Sequence, residues 1–375
     1  MLFNVCALYI KIMNNENQTI HKSDDNLTIY GWNEKLNQLK QESIYSTLAY
    51  GRVSIVHRTC YEVISGNGLF QCELTGNMMY GKSDDELPCT GDWVIFQPFD
   101  EHKGIIVDSL PRERTLYRKK SGTVADKQAI ASYVDKAFIV QSLDDNFNVR
   151  RVERFMVQIM EENISSVLVL NKADLDFDRQ SVEEQIKHIS SQIPVFFTSI
   201  HQPETIVRLR KSISEGETVV FVGSSGVGKS SLVNALCEKP VLLTSDISLS
   251  TGKGRHTSTR REMVLMDSSG VLIDTPGVRE FGLAIDNPDS LAEVLEISDY
   301  AELCRFKDCK HINEPGCAVI EAVNSGALDS KVYASYLKLR REAWHFSASE
   351  HEKRKKEKSF TKLVEEVKNR KDASR

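Results

Sequence analysis

The chain has 375 residues, of which 41% are hydrophobic and 27% charged, and it carries a formal net charge of −5. This composition excludes a disordered or fibrous chain, and the length predicts two or three domains rather than one core. The acidic balance argues against a generally basic, nucleic-acid-coating protein while leaving room for a local basic patch.

Taken in chain order, residues 1–45 are polar and read as an N-terminal extension with one helix near residues 32–39. The opening Leu2 to Ile10 lacks a basic flank and a small-residue cleavage site, so no secretory leader is expected. No apolar run reaches the length of a membrane span, and a cytoplasmic protein without a membrane partner is expected.

Residues 46–116 form a different texture. Short runs at 52–57, 61–64, 70–74, 92–96 and 104–107 are rich in β-branched and aromatic residues, and Gly66, Gly68, Gly76, Gly81 and Gly91 punctuate them as turns. Several short strands with turn signals predict a small β-barrel. Residues 117–288 then alternate strands and helices, which predicts a mostly parallel sheet covered on both faces. The strands are placed at 137–141, 166–170, 195–197, 218–222, 263–266 and 271–273. In the helix after the first of these, Val152, Phe155, Met156, Ile159 and Met160 recur at helical spacing. Residues 289–350 read as a mainly helical module, and 351–375 as a charged tail.

Three motifs carry the chemistry. Gly223, Ser224, Ser225, Gly226, Val227, Gly228, Lys229 and Ser230 fit GxxxxGK[ST] between a strand and a helix that begins at Ser231. Glycines let such a loop turn its N–H groups toward phosphate oxygens, and the helix N-terminus adds the positive end of its dipole. Lys229 is expected to reach the β- and γ-phosphates, and the Ser230 hydroxyl to ligate Mg²⁺.

The second motif is Asn171, Lys172, Ala173 and Asp174, directly after an apolar strand. Guanine presents two adjacent donors that one carboxylate, here Asp174, can accept, whereas adenine offers no such pair. Asn171 is expected to tie this loop to the phosphate loop, and the stem of Lys172 to cover the base. The third motif is Asp274, Thr275, Pro276 and Gly277, in which Asp274 would hold Mg²⁺ through water and the Gly277 amide would sense the γ-phosphate. Ser199, beyond the strand 195–197, and Ser231 complete the expected nucleotide-binding set.

These motifs predict a GTPase that binds GTP and GDP. Their order is inverted: the base reader comes first, the phosphate loop second and Asp-x-x-Gly last, as circular permutation would produce. The position after Gly277, where a typical GTPase places a water-orienting glutamine, is Val278. His256, in the glycine-rich basic stretch 252–256, is the candidate to place the attacking water. The alternative is that His256 contacts RNA or packs the loop.

Cys304, Cys309, His311 and Cys317 lie within fourteen residues and form a Cys₃His set, which suits one structural Zn²⁺ with no open coordination position. The other five of the eight cysteines are scattered, which suits a reducing compartment better than a disulfide framework.

With these residues in hand, the chain resembles the ribosome small subunit-dependent GTPase A family over roughly residues 30 to 350. The resemblance rests on the permuted motifs, the barrel before them and the Cys₃His cluster after them. It also rests on Gly91-Asp92-Trp93-Val94, Leu110-Pro111-Arg112, Gly254-Arg255-His256-Thr257, Asp308-Cys309-Lys310-His311 and Glu314-Pro315-Gly316-Cys317-Ala318-Val319.

It implies an OB-fold barrel, a circularly permuted GTPase domain and a zinc-binding domain. It further implies a late role in maturing the small ribosomal subunit, with that subunit and its rRNA as partners and as stimulator of hydrolysis. Two departures stand out: Thr257-Ser258-Thr259 where the family often has three threonines, and Tyr133 where it has asparagine. By the resemblance, the first makes Thr257 the candidate catalytic and Mg²⁺-ligating switch hydroxyl among these positions; the second is expected to leave catalysis undisturbed.

The barrel and the run Lys353-Arg354-Lys355-Lys356 with Lys358 are the candidate RNA contacts, although Glu350, Glu352 and Glu357 interleave with the run as on a solvated helix face. A monomer is expected. Competing readings are a GTP-dependent RNA- or ribosome-binding module with negligible turnover, and a permuted GTPase acting on the large subunit.

Overall fold

The computed structural model describes residues 24–83, 85–119, 127–238, 262–266, 270–274 and 288–347. A 3-10 helix, Asp24–Tyr30, leads into α1 (Glu34–Glu42), which the Asn33 side chain caps by accepting from the Leu36 amide. The barrel strands follow: β1 (Ala49–Val56), β2 (Tyr61–Ser65), β3 (Gly68–Leu74), β4 (Trp93–Asp100) and β5 (Lys103–Ser109). They are ordered β1-β2-β3-β5-β4, and an additional β1–β4 pairing closes the ring. Burial alternates along β2 and β3, so Val63, Phe70 and Cys72 fill the interior with Val53, Val94, Phe96 and Ile106.

One local expectation fails. Gly76 and Gly81 do not mark turns but bound α2 (Gly76–Gly81), which Thr75 caps and whose Met78 is buried in the barrel. A side-chain cap at one end and an apolar anchor in the middle override the weak helix propensity of glycine. A second feature was not anticipated: β6 (Leu116–Lys119) and β7 (Lys127–Ala131) form an antiparallel pair between barrel and GTPase sheet.

The GTPase sheet contains β8 (Lys136–Ser142), β9 (Ser165–Asn171), β10 (Val195–Thr198), β11 (Thr218–Val222), β12 (Glu262–Leu265) and β13 (Val271–Asp274). Its order is β10-β9-β8-β11-β13-β12; the first five are parallel, and β12 runs antiparallel to β13. The helices between them are α3 (Val149–Glu161), α4 (Arg179–Gln185), α5 (Lys187–Ser190), α6 (Pro203–Arg210) and α7 (Lys229–Leu236). Strand β8 precedes β11 in the chain yet lies beside it, which is the spatial form of the permutation.

Alternate residues of β8 face opposite cores: Ala137 and Ile139 pack with Val152, Phe155 and Met156 of α3, whereas Phe138 and Val140 pack with Ile206 and Leu232 of α6 and α7. Both faces of the sheet are therefore covered, as a parallel sheet requires.

Among the described residues, several contacts join barrel and sheet, including one strand pairing and one buried side chain. Ile55 of β1 pairs with Glu262 of β12, so hydrogen bonding runs through both. Arg52 of β1 is 1% exposed and acts as a brace. Its Nε donates to Gly91 O at 2.9 Å, Nη1 to Tyr30 O and to Thr218 Oγ1 at 2.9 Å, and Nη2 to Tyr133 O at 3.4 Å. Burial lowers its pKa to about 10, still far above neutrality, so the guanidinium stays charged. The family-like stretches around Asp92 and Arg112 are one ion pair: Arg112 Nη2 lies 2.7 Å from Asp92 Oδ2, and Asp92 is fully buried. Tyr133 donates its hydroxyl to Pro111 O at 2.6 Å, at the strand ends opposite to Asn171.

The C-terminal helices are α8 (Pro288–Val294), α9 (Ser298–Ala301), α10 (Ala318–Ser325) and α11 (Ser330–Ser347). Their core is continuous with that of the sheet, since Leu291, Val319, Leu328, Tyr336 and Leu339 pack in the same cluster as Ile139 and Phe155. Arg154 of α3 reaches Glu342 of α11 at 2.8 Å, and the nearly fully buried Glu153 pairs with His188 Nε2 at 3.0 Å and accepts from Ser335 Oγ. No helix among the described residues is long and apolar enough to cross a membrane.

Candidate nucleotide site and metal centre

Because β8, β9, β10, β11 and β13 are parallel, the loops at their carboxyl ends share one edge of the sheet, where such folds bind ligands. Residues 223–228 leave β11 there and α7 begins at Lys229. Gly223 has φ 147 and Gly228 φ 89, conformations that disfavour other residues. A Cβ on Gly223 would lie 2.3 Å from Val140 O, and one on Gly228 2.4 Å from Asn171 Nδ2. Val227 is buried, Ser224 is half-buried, and Ser225 and Gly226 are exposed at the loop tip. Lys229 Nζ arches back over the loop, donating to Gly223 O at 2.7 Å and Ser224 O at 2.6 Å. Ser230 and Ser231 occupy the first turn of α7.

The loop 171–174 leaves β9 alongside. Asn171 is buried and donates from Nδ2 to Val227 O at 2.9 Å, while its Oδ1 accepts from Thr198 Oγ1 at 3.2 Å. Lys172 takes a left-handed conformation with φ 62, and its Nζ lies 2.8 Å from Asp144 Oδ2. The Ala173 amide donates to Thr198 O at 3.0 Å. Asp174 is exposed and accepts a short hydrogen bond from Ser199 Oγ, which holds its carboxyl below the usual value. Ser199 is itself fixed, its amide donating to Thr205 Oγ1 at 3.0 Å.

The structure thus brings Asn171, Lys172, Ala173, Asp174 and Ser199 together with residues 223–231. Asp274 ends β13 on the same edge. His256, Thr257, Gly277 and the basic run at 353–358 lie outside the described residues. Asp144, Ser142, Thr198 and Thr205 also belong to this edge and were not singled out in the sequence. The available signal was position: Asp144 follows the apolar strand that pairs with both β9 and β11.

In the C-terminal helical module, Cys304, Cys309, His311 and Cys317 direct their donor atoms to one point, all within 4.8 Å of one another. Cys304 Sγ and Cys317 Sγ are 3.8 Å apart, and His311 Nδ1 is 3.4 Å from each. A tetrahedral ion with metal–sulfur bonds of about 2.3 Å has sulfur–sulfur edges of about 3.8 Å, so the donor set fits a metal ion of this kind.

The Glu314 carboxylate holds the intervening loop by accepting from the amides of Ile312 at 2.9 Å, Asn313 at 3.1 Å and Lys310 at 3.1 Å. Tyr333 donates to His311 O at 2.6 Å. Burial pushes the Cys317 thiol up to about 12 and, with Arg340, pushes the His311 imidazole down. That direction favours the neutral ring a ligand must present, and a bound cation would supply the charge that stabilises the thiolates.

The fold and the shared edge define a P-loop GTPase of circularly permuted order, joined to an OB-type barrel and a helical module with a candidate metal centre. The RsgA GTPase family model matches residues 109–284. An ABC transporter model matches residues 206–369, a stretch that includes the phosphate loop.

The small ribosomal subunit biogenesis GTPase RsgA 1 of Bacteroides thetaiotaomicron is 76% identical over 96% of this chain and 99% of its own. The small ribosomal subunit biogenesis GTPase RsgA of Methanosarcina acetivorans is 38% identical over 87% of this chain and 89% of its own. The chain belongs to the RsgA GTPase family.

Among solved structures, that of YjeQ from Thermotoga maritima is 26% identical with a TM-score of 0.59, covering 79% of this chain and 98% of that one. YloQ, described as a circularly permuted GTPase, is 22% identical with a TM-score of 0.60, covering 82% and 99%, and shares the fold.

Proposed function

We propose that this chain hydrolyses GTP to GDP and phosphate on the small ribosomal subunit, late in that subunit's maturation, and that the subunit stimulates the reaction. The observation that carries the reading is the bond from Asn171 Nδ2 to Val227 O, which joins a loop of guanine-reading type to a phosphate loop. The printed names of the relatives support the ribosomal assignment.

In this reading Asp174 accepts from the two guanine donors, with Ser199 orienting it, while the Lys172 stem covers the base. The amides of 223–228 and Lys229 hold the phosphates, and Gly277 senses the γ-phosphate. The residues that would hold Mg²⁺ are Ser230, Asp274 and Thr257, and a bound ion would supply positive charge to the phosphates. Val278 can neither donate nor accept through its side chain, so His256 is assigned to place the attacking water. Cys304, Cys309, His311 and Cys317 hold one structural Zn²⁺, which ties the loops between α9 and α10.

The barrel, residues 46–116, and the tail, 351–375, contact rRNA. The GTPase domain spans 117–288 and the zinc-binding domain 289–350, after an extension of 1–45. The protein acts as a cytoplasmic monomer.

Turnover measured alone, with purified small subunits and with purified large subunits tests the reading. Stimulation by small subunits is expected. Stimulation by large subunits only would move the substrate particle to the other subunit, and negligible turnover under all three conditions would leave a GTP-dependent binding module.

A further inference from the structure

Asp144 lies two residues beyond β8 in the loop to α3, outside the three nucleotide motifs. Its surroundings fasten it to the base-reading loop. Ser142 is in parallel register with Asn171, and the Leu143 amide donates to Asn171 O at 2.9 Å. The two carboxylate oxygens have separate partners. Oδ1 accepts from Ser142 Oγ at 2.6 Å and from the Asn146 amide at 3.0 Å, which fixes the orientation of the group. Oδ2 is thereby turned to Lys172, whose Nζ lies 2.8 Å away.

Both side chains remain about one-third exposed, at 31% and 35%. An ion pair so open to water adds little to fold stability. What it does fix is the course of a long side chain that otherwise samples many rotamers.

We propose that Asp144 is a positioning residue for guanine-nucleotide binding, tethering the Lys172 ammonium so that the aliphatic stem is set against the base before the nucleotide arrives. This rests on the reading of residues 171–174 as the base-reading loop. Without the tether, binding must itself order a rotamer-rich side chain, and affinity falls accordingly. Although partial burial alone would raise it, the hydrogen bonds from Lys172, Ser142 and Asn146 hold the Asp144 carboxyl at about 2, so the tether is charged throughout the neutral range.

The test is a double-mutant cycle on the full chain, with equilibrium binding of fluorescently labelled GDP as the readout. Asp144→Ala is expected to weaken binding roughly 3- to 10-fold. Lys172→Met keeps an apolar stem and removes the tethered ammonium; in that background Asp144→Ala should add nothing. Asp144→Asn keeps an oxygen for Ser142 and Asn146 but turns an amide toward Lys172. It should reproduce the loss with an unchanged melting temperature, which covers the case in which the alanine variant folds poorly.

Equal losses in the Lys172 and Lys172→Met backgrounds, or full affinity in Asp144→Asn, would overturn the proposal. If the wild-type chain fails to bind GDP, it is the functional reading that falls; if the wild type binds and Lys172→Met binds less tightly while both Asp144 variants bind normally, only the tether falls.

Discussion

Asn171 and Val227, separated by 56 residues, are joined by a 2.9 Å hydrogen bond, and Gly228 leaves the space in which the Asn171 amide sits. Loops 171–174 and 223–228 are therefore tied to each other, and in the proposed reading changes in either should be felt as nucleotide affinity.

In the proposed reading, Asp174→Asn replaces an acceptor with a donor at the guanine edge. GDP binding should weaken by about 1–3 kcal/mol, and the preference over ADP should shrink by the same amount. The pH behaviour follows from direction. Asp174 and Asp144 both ionise below their ordinary value in the folded chain, so their contributions are complete above that value and are lost only as pH falls through the folded values. Titration of GDP and ADP side by side should give a constant ratio of affinities from about pH 8 to about pH 5. A ratio that collapses near neutrality would place another group at the base.

Arg52→Met removes a fully buried guanidinium and leaves Gly91 O, Tyr133 O and Thr218 Oγ1 without its donors. Breaking a buried charged network costs about 3–5 kcal/mol. Denaturant unfolding should show this loss, and Arg52→Lys should recover only part of it, since an ammonium cannot span acceptors on three elements. A loss under 1 kcal/mol would mean that barrel and GTPase sheet are held together elsewhere.

Metal analysis of protein purified without chelators should give one zinc per chain. Cys309→Ser should abolish stoichiometric binding. Because Cys317 and Val319 pack in the same core as Ile139 and Phe155, removing the metal should lower the melting temperature of the whole chain as well as loosening α10 and α11. Hydrogen exchange confined to the last helices, with an unchanged melting temperature, would contradict the shared core.

His256→Ala should leave GDP affinity and small-subunit binding near wild type while stimulated turnover falls roughly a hundredfold, the scale on which a displaced catalytic group costs rate. Single-turnover hydrolysis on small subunits measures it directly. Retained stimulation would assign the water to a different group.

Much of this protein is legible as sequence because its signals are local. The strand 218–222 is placed at its full extent by an uninterrupted run of β-branched and aromatic residues ahead of a glycine-rich loop, and α3 by apolar residues at helical spacing. Cys304, Cys309, His311 and Cys317 are close in the chain, so their convergence needs only one short loop. Even the permutation is visible, since it is a statement about order.

What lay beyond reach depends on residues distant in sequence. Gly76 and Gly81 read as turns until a buried Met78 and a Thr75 cap make the segment helical. Arg52 reads as one more polar residue in a strand; that it braces Tyr30, Gly91, Tyr133 and Thr218 is decided by the packing of barrel against sheet. Asp144 likewise becomes a partner of Lys172 only because β8 and β9 are adjacent and parallel, which sets residues 28 positions apart within reach of one hydrogen bond. Sequence alone determined which chemical groups are present and which short segments they ride on. Tertiary structure decided which of them meet, because side-chain contacts between elements arise from strand pairing and core packing, and neither leaves a local trace.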